Sequence, residues 1–404
     1  MSLVHDIDTG ETFRQDSVRV IGQVRMLNNK EDESLPPPTL LQRIEQNDSS
    51  LKELAGFGGF SCHKVAASLR KNHTITSFKL SHCNLGDDND DGCKHIMQAL
   101  IDRRSNLKRI SLARNSIGLN GALAIANFIL ASRRTEDSII LYDSIRLDLL
   151  QNCVGDEGAR VIADAIANNR TKGVVDNIQT IVNIGFEKNR IGDEGLSYIS
   201  NMLCGNTKLH TLRLGKNMIT HEGVVKYLAP ALAKNTSLRT LDLSSNRDIG
   251  DVGAAALAEI LTSNNQNLET LILTKCSITE AGAVRLLRAL YNDKSPYSVL
   301  EESNHTLREI MLCQNPVMST SLSGLSTTFL RDALQWNQNG IASARIFKLQ
   351  CFLTSNDGPR YVHSIDLMRE LIPNFVFKIW RISCLGVLYA YLREMPELLE
   401  VCIL

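Results

Sequence analysis

The chain contains 404 residues, of which 43% are hydrophobic and 22% are charged, as is typical of a folded protein rather than a disordered one. Lysine plus arginine and aspartate plus glutamate number 44 each, so the formal net charge is zero. This balance argues against a protein that binds nucleic acid or a membrane surface through its overall charge. The length exceeds one ordinary hydrophobic core but suits a repeat array, which grows in one dimension.

The N-terminal segment, residues 1–38, is polar, with an acidic run at 31–33 and three prolines at 36–38. We predict a mobile tail there, because this composition buries little apolar surface. The first residues lack the apolar core of a secretory signal, and the apolar stretch 382–392, about 11 residues long, is too short to span a bilayer. We therefore expect a cytoplasmic protein, with the nucleus as an alternative, in which the ten cysteines are reduced and mostly buried.

Residues 39–71 predict a helical N-terminal cap, which includes a degenerate repeat that begins at Leu51. An array of about eight clear units follows over residues 72–320. Its pattern is plainest at residues 209–219, where Leu209, Leu212 and Leu214 precede an asparagine in the form LxxLxLxxNxI. Each unit has an asparagine or a cysteine at one position, which we expect to hydrogen-bond the turn backbone: Cys83, Asn115, Asn152, Asn189, Asn217, Asn246, Cys276 and Asn315.

Several units continue with a phrase such as Gly155-Asp-Glu-Gly158, followed by apolar residues at helical spacing. We expect the aspartate to cap the helix that it begins, and the second glycine to let that helix approach its strand. Each unit is thus a strand, a turn and a helix. The predicted fold is a right-handed α/β solenoid, a horseshoe with parallel inner strands, outer helices and a C-terminal helical cap.

The spacing of 28–30 residues around Asn217, Asn246 and Cys276, together with the phrase N-x-I-G-D-E-G, resembles the ribonuclease-inhibitor-like subclass of leucine-rich repeats. This subclass includes ribonuclease inhibitor, the Ran GTPase-activating protein and the sensor arrays of NOD-like receptors. The resemblance covers roughly residues 51–320. It implies the horseshoe fold and a role in binding another protein, whereas the repeated residues themselves are structural.

Three places depart from the regular period, near residues 133–142, 170–177 and 292–303, and we predict rim loops after helices there. After the last repeat, residues 321–404 predict a helical block with two helices, 326–353 and 364–399. We expect this block to cover the last repeat, with a separate functional module as the alternative.

The acidic run 87–92 matches the head of an EF-hand calcium loop at Asp87, Asn89, Asp91 and Gly92. Its twelfth position holds Gln98 where a bidentate glutamate is needed, so we predict a solvated turn and leave a weak calcium site open. The sequence contains no phosphate-binding loop, no zinc-protease motif and no assignable catalytic triad. We predict a protein that is not an enzyme and that uses no cofactor or metal.

The concave face is the predicted binding surface, because strand residues that flank the buried leucines point into the horseshoe. At the five flanking positions of the eight units, eleven residues are basic and five are acidic. Chance is one explanation of this excess, and a surface for an acidic partner is the other. The candidate partner-binding residues are His210, Arg213, Lys216, Arg239, Lys188, Arg114, Lys275 and Arg146.

These features predict a scaffold or adaptor that binds another protein, one that is acidic or a small GTPase. A GTPase-activating protein of the Ran-activator type is an alternative, although the long acidic tail common in that family is missing here. A sensor fragment related to NOD-like receptors is a further alternative, without the nucleotide-binding domain of those proteins. Nucleic acid is disfavoured as a ligand because the strand faces lack aromatic residues for stacking.

Overall fold

A computed structural model describes the repeat array and parts of both flanking regions. The described residues are 4–5, 12–13, 40–57, 62–102, 107–131, 144–168, 181–263, 265, 267–292, 294, 299, 302–319, 334–335, 337–338, 341, 344 and 348. None of the helices within these ranges has both the length and the apolar character needed to cross a membrane.

The array is an α/β solenoid built on one nine-stranded parallel sheet, in which each strand pairs with those before and after it in the chain. A separate antiparallel pair is formed by β1 Val4–His5 and β2 Thr12–Phe13. The strands of the parallel sheet are β3 Glu53–Phe57, β4 Ser77–Ser81, β5 Arg109–Ser111, β6 Ile145–Asp148, β7 Ile181–Gly185, β8 Thr211–Arg213, β9 Thr240–Asp242, β10 Thr270–Ile272 and β11 Glu309–Met311.

One helical segment follows most strands. The α-helices are α1 Leu40–Glu45, α2 Cys62–Arg70, α3 Asp87–Asp102, α4 Leu119–Ala131, α5 Gly155–Asn168, α6 Asp193–Gly205, α7 His221–Gly223, α8 Ala229–Lys234, α9 Gly250–Ser263 and α10 Glu280–Leu290. A π-helical stretch, Val224–Leu228, joins α7 to α8 just before Pro230, whose missing N–H disturbs the regular ladder. Short 3₁₀ turns lie at Arg247–Ile249 and Pro316–Ser319.

The core lies between the sheet and the helices and continues through the array. Equivalent residues of neighbouring strands pair directly, as Leu212 does with Leu241 and Leu241 with Leu271, and all three are fully buried. Burying each such side chain contributes about 1.5–3 kcal/mol. Stacking of identical units therefore produces one continuous apolar column, as the leucine spacing predicts.

The repeat asparagines join each turn to the next, and we call this set the asparagine ladder. Asn246 accepts hydrogen bonds at Oδ1 from the backbone N–H groups of Asn217 (3.1 Å) and Ile219 (3.2 Å) of the preceding unit. Its Nδ2 donates to the carbonyl oxygens of Leu214 (3.0 Å) and Leu243 (2.8 Å). The same side chain thus satisfies backbone groups of two units, which extends the prediction that it serves its own turn.

Cysteine fills this position only in part. The Sγ of Cys276 donates to the carbonyl oxygen of Leu243 at 3.3 Å, in the place of an asparagine Nδ2. The backbone N–H of Asn246 is instead directed at that same carbonyl, at 3.4 Å. None of the seven described cysteines forms a disulfide, as predicted, but Cys153, Cys204 and Cys313 are exposed, so the expectation that most are buried was too broad.

The helix aspartates cap the next helix rather than their own, which corrects the predicted N-cap. Asp251 accepts at Oδ1 from the N–H groups of Thr279 (2.8 Å) and Gly282 (3.1 Å), at the start of α10. Asp156 does the same for Gly192 and Gly195 of the following unit. These carboxylates lie at the positive ends of the neighbouring helices, where negative charge is stabilising.

The recurring glycines make room for these carboxylates, which corrects their predicted role in strand approach. A Cβ atom on Gly195, Gly223 or Gly282 would collide with the aspartate of the preceding unit. At Gly158 and Gly253 the collision would be with Val154 and Ile249, which belong to the turn of the same unit. Glycine is thus required by the packing between and within units.

The predicted cap segment at 39–71 contains α1, α2 and β3, so the degenerate repeat at Leu51 supplies the first parallel strand. Residues 87–92 form the start of α3, so the predicted solvated turn was wrong and the calcium loop is not formed. Asp90 is buried and accepts from the N–H groups of Gly118 and Gly121, as the other repeat aspartates do.

Much of both flanking regions falls outside the described residues. Four residues of the predicted tail 1–38 pair as β1 and β2, which the sequence did not suggest. The predicted rim loops at 133–142 and 170–177 and the predicted helix at 364–399 lie outside the described part. In the third predicted loop, 292–303, the described residues include Ser303, which is buried.

The described residues between 334 and 348 are all helical. Asn337 donates from Nδ2 to the carbonyl oxygen of Leu307 at 2.6 Å, and Lys348 donates from Nζ to that of Asn304 at 2.6 Å. Burial lowers the pKa of Lys348 to about 7. These two side chains pack this helical segment onto the last unit of the array.

Candidate functional site

The turn after each strand has one unusual backbone conformation, which directs a side chain into solvent. The residue before each repeat asparagine or cysteine has a φ angle between 54° and 61°, in the left-handed region. In the eight units these residues are His82, Arg114, Gln151, Lys188, Lys216, Ser245, Lys275 and Gln314. The left-handed region disfavours residues other than glycine by about 1–2 kcal/mol. The asparagine ladder fixes the turn and thereby maintains this conformation.

Five successive turns line a groove of about 510 Å³ at the end of the strands. We call it the basic groove. Its lining residues are His82, Arg114, Ser116, Gln151, Asn152, Cys153, Lys188, Arg190, Lys216 and Met218. Four of these carry a permanent positive charge and none carries a carboxylate. The groove is therefore suited to an anionic ligand.

The cations of the basic groove are held by the turn backbone. Lys188, Arg190 and Lys216 are exposed and have φ angles of 56°, 59° and 56°. Arg114 Nη1 lies 3.4 Å from His82 Nε2 across the groove. Met218, with 59% of its surface exposed, adds an apolar contact beside the charges.

Comparison with known families agrees with this architecture. A family model described as Leucine Rich repeat matches residues 71–88, 105–126, 145–163, 205–226, 234–258 and 264–287. The chain is a leucine-rich-repeat protein. The matched segments include the turns that carry His82, Lys216 and Met218.

Other comparisons add little to this assignment. A search of curated proteins found no match for the leucine-rich-repeat chain. Among solved structures, it is similar to one described as the crystal structure of the Rad7 and Elc1 complex in yeast, with 13% sequence identity and a TM-score of 0.31. That match covers 70% of this chain and 83% of the other.

The structure brings together three of the eight predicted binding residues of the leucine-rich-repeat protein. Arg114, Lys188 and Lys216 all line the basic groove. Arg146 pairs in register with Arg109 on the neighbouring strand, at the other end of the strand surface. By the strand surface we mean the side of the sheet that faces away from the helices, which corresponds to the predicted concave face.

Two other predicted residues form ion pairs on the strand surface. Arg213 Nη1 lies 3.7 Å from Glu187 Oε1, and Arg239 forms a close ion pair with Glu269. Glu269 also receives Arg308, whose Nη1 lies 3.4 Å from Oε2. His210 and Lys275 are exposed but do not line the basic groove.

Sequence reasoning missed His82 and Arg190 as groove residues. His82 lies in the turn after β4. The five flanking positions considered in the sequence all precede the repeat asparagine. Arg190 follows Asn189, and its left-handed backbone returns its side chain to the basic groove. Left-handed residues stand on both sides of Asn189, as they do on both sides of Cys83, Asn115 and Cys276.

The centre of the strand surface is acidic, which a simple count of charges did not show. Glu187 is mostly buried, with 16% of its side chain exposed, and burial raises its pKa to about 7. Arg213 lowers this pKa, while Asp148 and Asp242 raise it further. Within the described part, Oε2 of Glu187 has no hydrogen-bond partner. The four cations of the basic groove, by contrast, lie in the turns that follow the strands.

Proposed function

We propose that this leucine-rich-repeat protein is an interaction scaffold whose basic groove binds an acidic segment of a partner protein. The observation that carries the proposal is a groove lined by four permanent cations and no carboxylate. The period of 28–30 residues supports the narrower assignment to the ribonuclease-inhibitor-like subclass. A preformed surface of stacked turns costs little ordering entropy when a partner binds.

The dimensions of the basic groove indicate the length of the segment. Adjacent strands lie about 4.8 Å apart, so the four steps from the turn of His82 to that of Lys216 cover roughly 19 Å. An extended peptide rises about 3.3 Å per residue, so about six residues fill this length. A segment with several Asp or Glu residues in six would meet a cation at most steps, and Met218 would contact an apolar residue at its end.

The test compares two variants with the same change in charge. The groove variant is Lys188→Glu with Lys216→Glu. The control is Lys208→Glu with Lys234→Glu, which changes exposed lysines outside the groove. The probe is a fluorescent six-residue peptide of Glu and Asp, measured by anisotropy, together with quantitative pull-down of partners from lysate.

We expect the groove variant to bind the peptide at least about tenfold more weakly than the wild type, because reversing two charges costs more than losing exposed pairs of about 0.2–1 kcal/mol each. The control should retain its affinity, and binding to the wild type should weaken as salt rises. Partners that are lost selectively from the groove variant would support the proposal. Equal binding by the two variants, to the peptide and to lysate proteins, would contradict it.

A further inference from the structure

A second cluster of chemistry-bearing side chains lies between two neighbouring helices, away from the basic groove. His63 is on α2, while Asp91 and His95 are one turn apart on α3. The two histidines are 32 positions apart in the chain, and stacking of the units brings their ring centroids to 3.9 Å. No regular metal-binding motif in the sequence marks this arrangement.

The nitrogen and oxygen atoms of this cluster converge on one point. The distance from His95 Nδ1 to Asp91 Oδ2 is 3.4 Å, and that from His63 Nε2 to the same oxygen is 3.8 Å. One ligand atom from each of the three residues lies within 4.8 Å of the other two. Zinc binds nitrogen and oxygen at about 2.0–2.2 Å, so the edges of its tetrahedron are roughly 3.3–3.6 Å long. The two distances to Asp91 Oδ2 are close to those edges.

We propose that His63, Asp91 and His95 bind a divalent zinc ion that links α2 to α3. Two imidazole nitrogens and one carboxylate oxygen are a donor set that suits zinc better than calcium or magnesium, which prefer oxygen ligands alone. The carboxylate supplies the negative charge that two neutral imidazoles lack. The fourth position is open to water, since the side chains of His63, Asp91 and His95 are 65%, 47% and 34% exposed.

Zinc binding requires a shift of one proton and a rotation of the His95 ring away from the Asp91 carbonyl oxygen. His95 Nδ1 lies 2.8 Å from the backbone carbonyl oxygen of Asp91 and forms a hydrogen bond with it. To bind the metal, Nδ1 must present its lone pair, so the single proton of the neutral imidazole is then carried by Nε2, which can donate to water. No redox step or leaving group is involved.

Two thiols, those of Cys93 and Cys62, lie near the cluster, and neither belongs to the proposed donor set. Cys93 is buried, and its Sγ is directed at the carbonyl oxygen of Gly121 at 3.7 Å. Burial raises the pKa of this thiol well above its usual range, so it stays protonated. Cys62 lies beside His63, and its sulfur is 3.1 Å from where a Cβ on Gly92 would be. Cys62 is therefore the residue against which the proposed donor set must be tested.

The position of the cluster gives the zinc ion a structural role. α2 precedes the first clear repeat, and α3 is the helix of that repeat. End units of a repeat array contact a neighbour on one side only and open most readily. An ion that bridges α2 and α3 would stabilise this end without touching the basic groove.

The test is a zinc titration of the full chain in a non-thiol reductant, by calorimetry, with Co²⁺ absorption as a spectroscopic readout. The variants His63→Gln, Asp91→Asn and His95→Gln each remove one ligand. His73→Gln is the matched control, since it changes an exposed histidine outside the cluster. Cys62→Ala tests the neighbouring thiol.

We expect the wild type to bind one zinc ion that each ligand variant binds at least about tenfold more weakly, whereas His73→Gln and Cys62→Ala retain it. Zinc should also slow amide hydrogen exchange in α2 and the first turns of α3 in the wild type but not in His63→Gln. Identical titrations of the wild type and the three ligand variants would overturn the proposal. So would loss of the site in Cys62→Ala together with its retention in Asp91→Asn.

Discussion

Lys216 and Asn217 are neighbours in one turn, yet they belong to two regions with opposite surroundings. Lys216 projects into the basic groove, whereas Asn217 belongs to the asparagine ladder and accepts hydrogen bonds from Asn189 and Ile191 of the preceding unit. At the eight positions of the asparagine ladder only asparagine or cysteine occurs. The residues that precede them, five of which line the basic groove, are His, Arg, Gln, Lys and Ser. The difference shows that the need to hydrogen-bond the turn backbone limits which residues can occupy the ladder positions. The residues that precede them can differ in charge.

The largest expected effect is a loss of stability when a residue of the asparagine ladder is replaced. Replacing Asn246 with Ala removes four hydrogen bonds and leaves two backbone N–H groups of the preceding unit without their acceptor. We expect the free energy of unfolding to fall by about 1–3 kcal/mol, as for other buried groups that lose a partner. Chemical denaturation measures this change.

The neighbouring residue supplies the control for that measurement. Ser245→Ala alters the adjacent side chain outside the ladder and should change stability by less than about 0.5 kcal/mol. Asn246→Cys should fall between these variants, because a thiol is a weaker donor and a weaker acceptor than an amide. Equal losses from Asn246→Ala and Ser245→Ala would contradict the distinction between the ladder positions and the residues that precede them.

A second effect is the pH dependence of stability that arises from Glu187, the mostly buried glutamate of the strand surface. Its pKa is raised from 4.5 to about 7 in the folded protein. Between these two pH values the folded chain keeps a proton that the unfolded chain loses, so stability falls as the pH rises. Above about pH 7 both states are ionised and the full cost of the buried charge remains.

Glu187→Gln removes this cost. We expect the variant to be more stable than the wild type by about 1–3 kcal/mol at pH 8, with the difference declining to near zero at pH 4. Thermal and urea unfolding across this range would measure it. Glu222→Gln, which changes an exposed side chain, should show no such trend. A difference that is constant with pH would show that Glu187 acts through packing alone.

The sequence predicted the fold of the array well because its determinants are local and repeated. The spacing of Leu209, Leu212 and Leu214 sets the strand and its buried face, and the asparagine that follows sets the turn. The same spacing in each unit then requires parallel stacking in chain order, as the sheet shows. The partner of the helix aspartate was predicted wrongly because Asp251 acts on α10, in the next unit.

The sites were harder to predict because they depend on relations between units. The sequence identified three of the groove cations as binding residues: Arg114, Lys188 and Lys216. It did not show that the left-handed turn places them together in the groove and leaves Arg213 outside it. The ion pair of Arg213 with Glu187 joins two strands, and a count of charges in single units cannot show it. The contact between His63 and His95 likewise depends on how one helix packs against the next.

The smallest expected effect tests whether Lys216 is kept in an unfavourable backbone conformation because its charge binds the ligand. Lys216 has a φ angle of 56°, where a Cβ atom is disfavoured by about 1–2 kcal/mol. Glycine removes this cost but increases the entropy of the unfolded chain by about 0.5–1 kcal/mol. Lys216→Gly should therefore raise the free energy of unfolding by less than about 1 kcal/mol, whereas Lys216→Ala keeps the Cβ and should not.

Both variants remove the charge, so both should bind the acidic peptide more weakly and to the same degree. Higher stability with weaker binding in Lys216→Gly would indicate that the cation is kept at this turn for its ligand, while a loss of stability would mean that the lysine stem itself supports the turn.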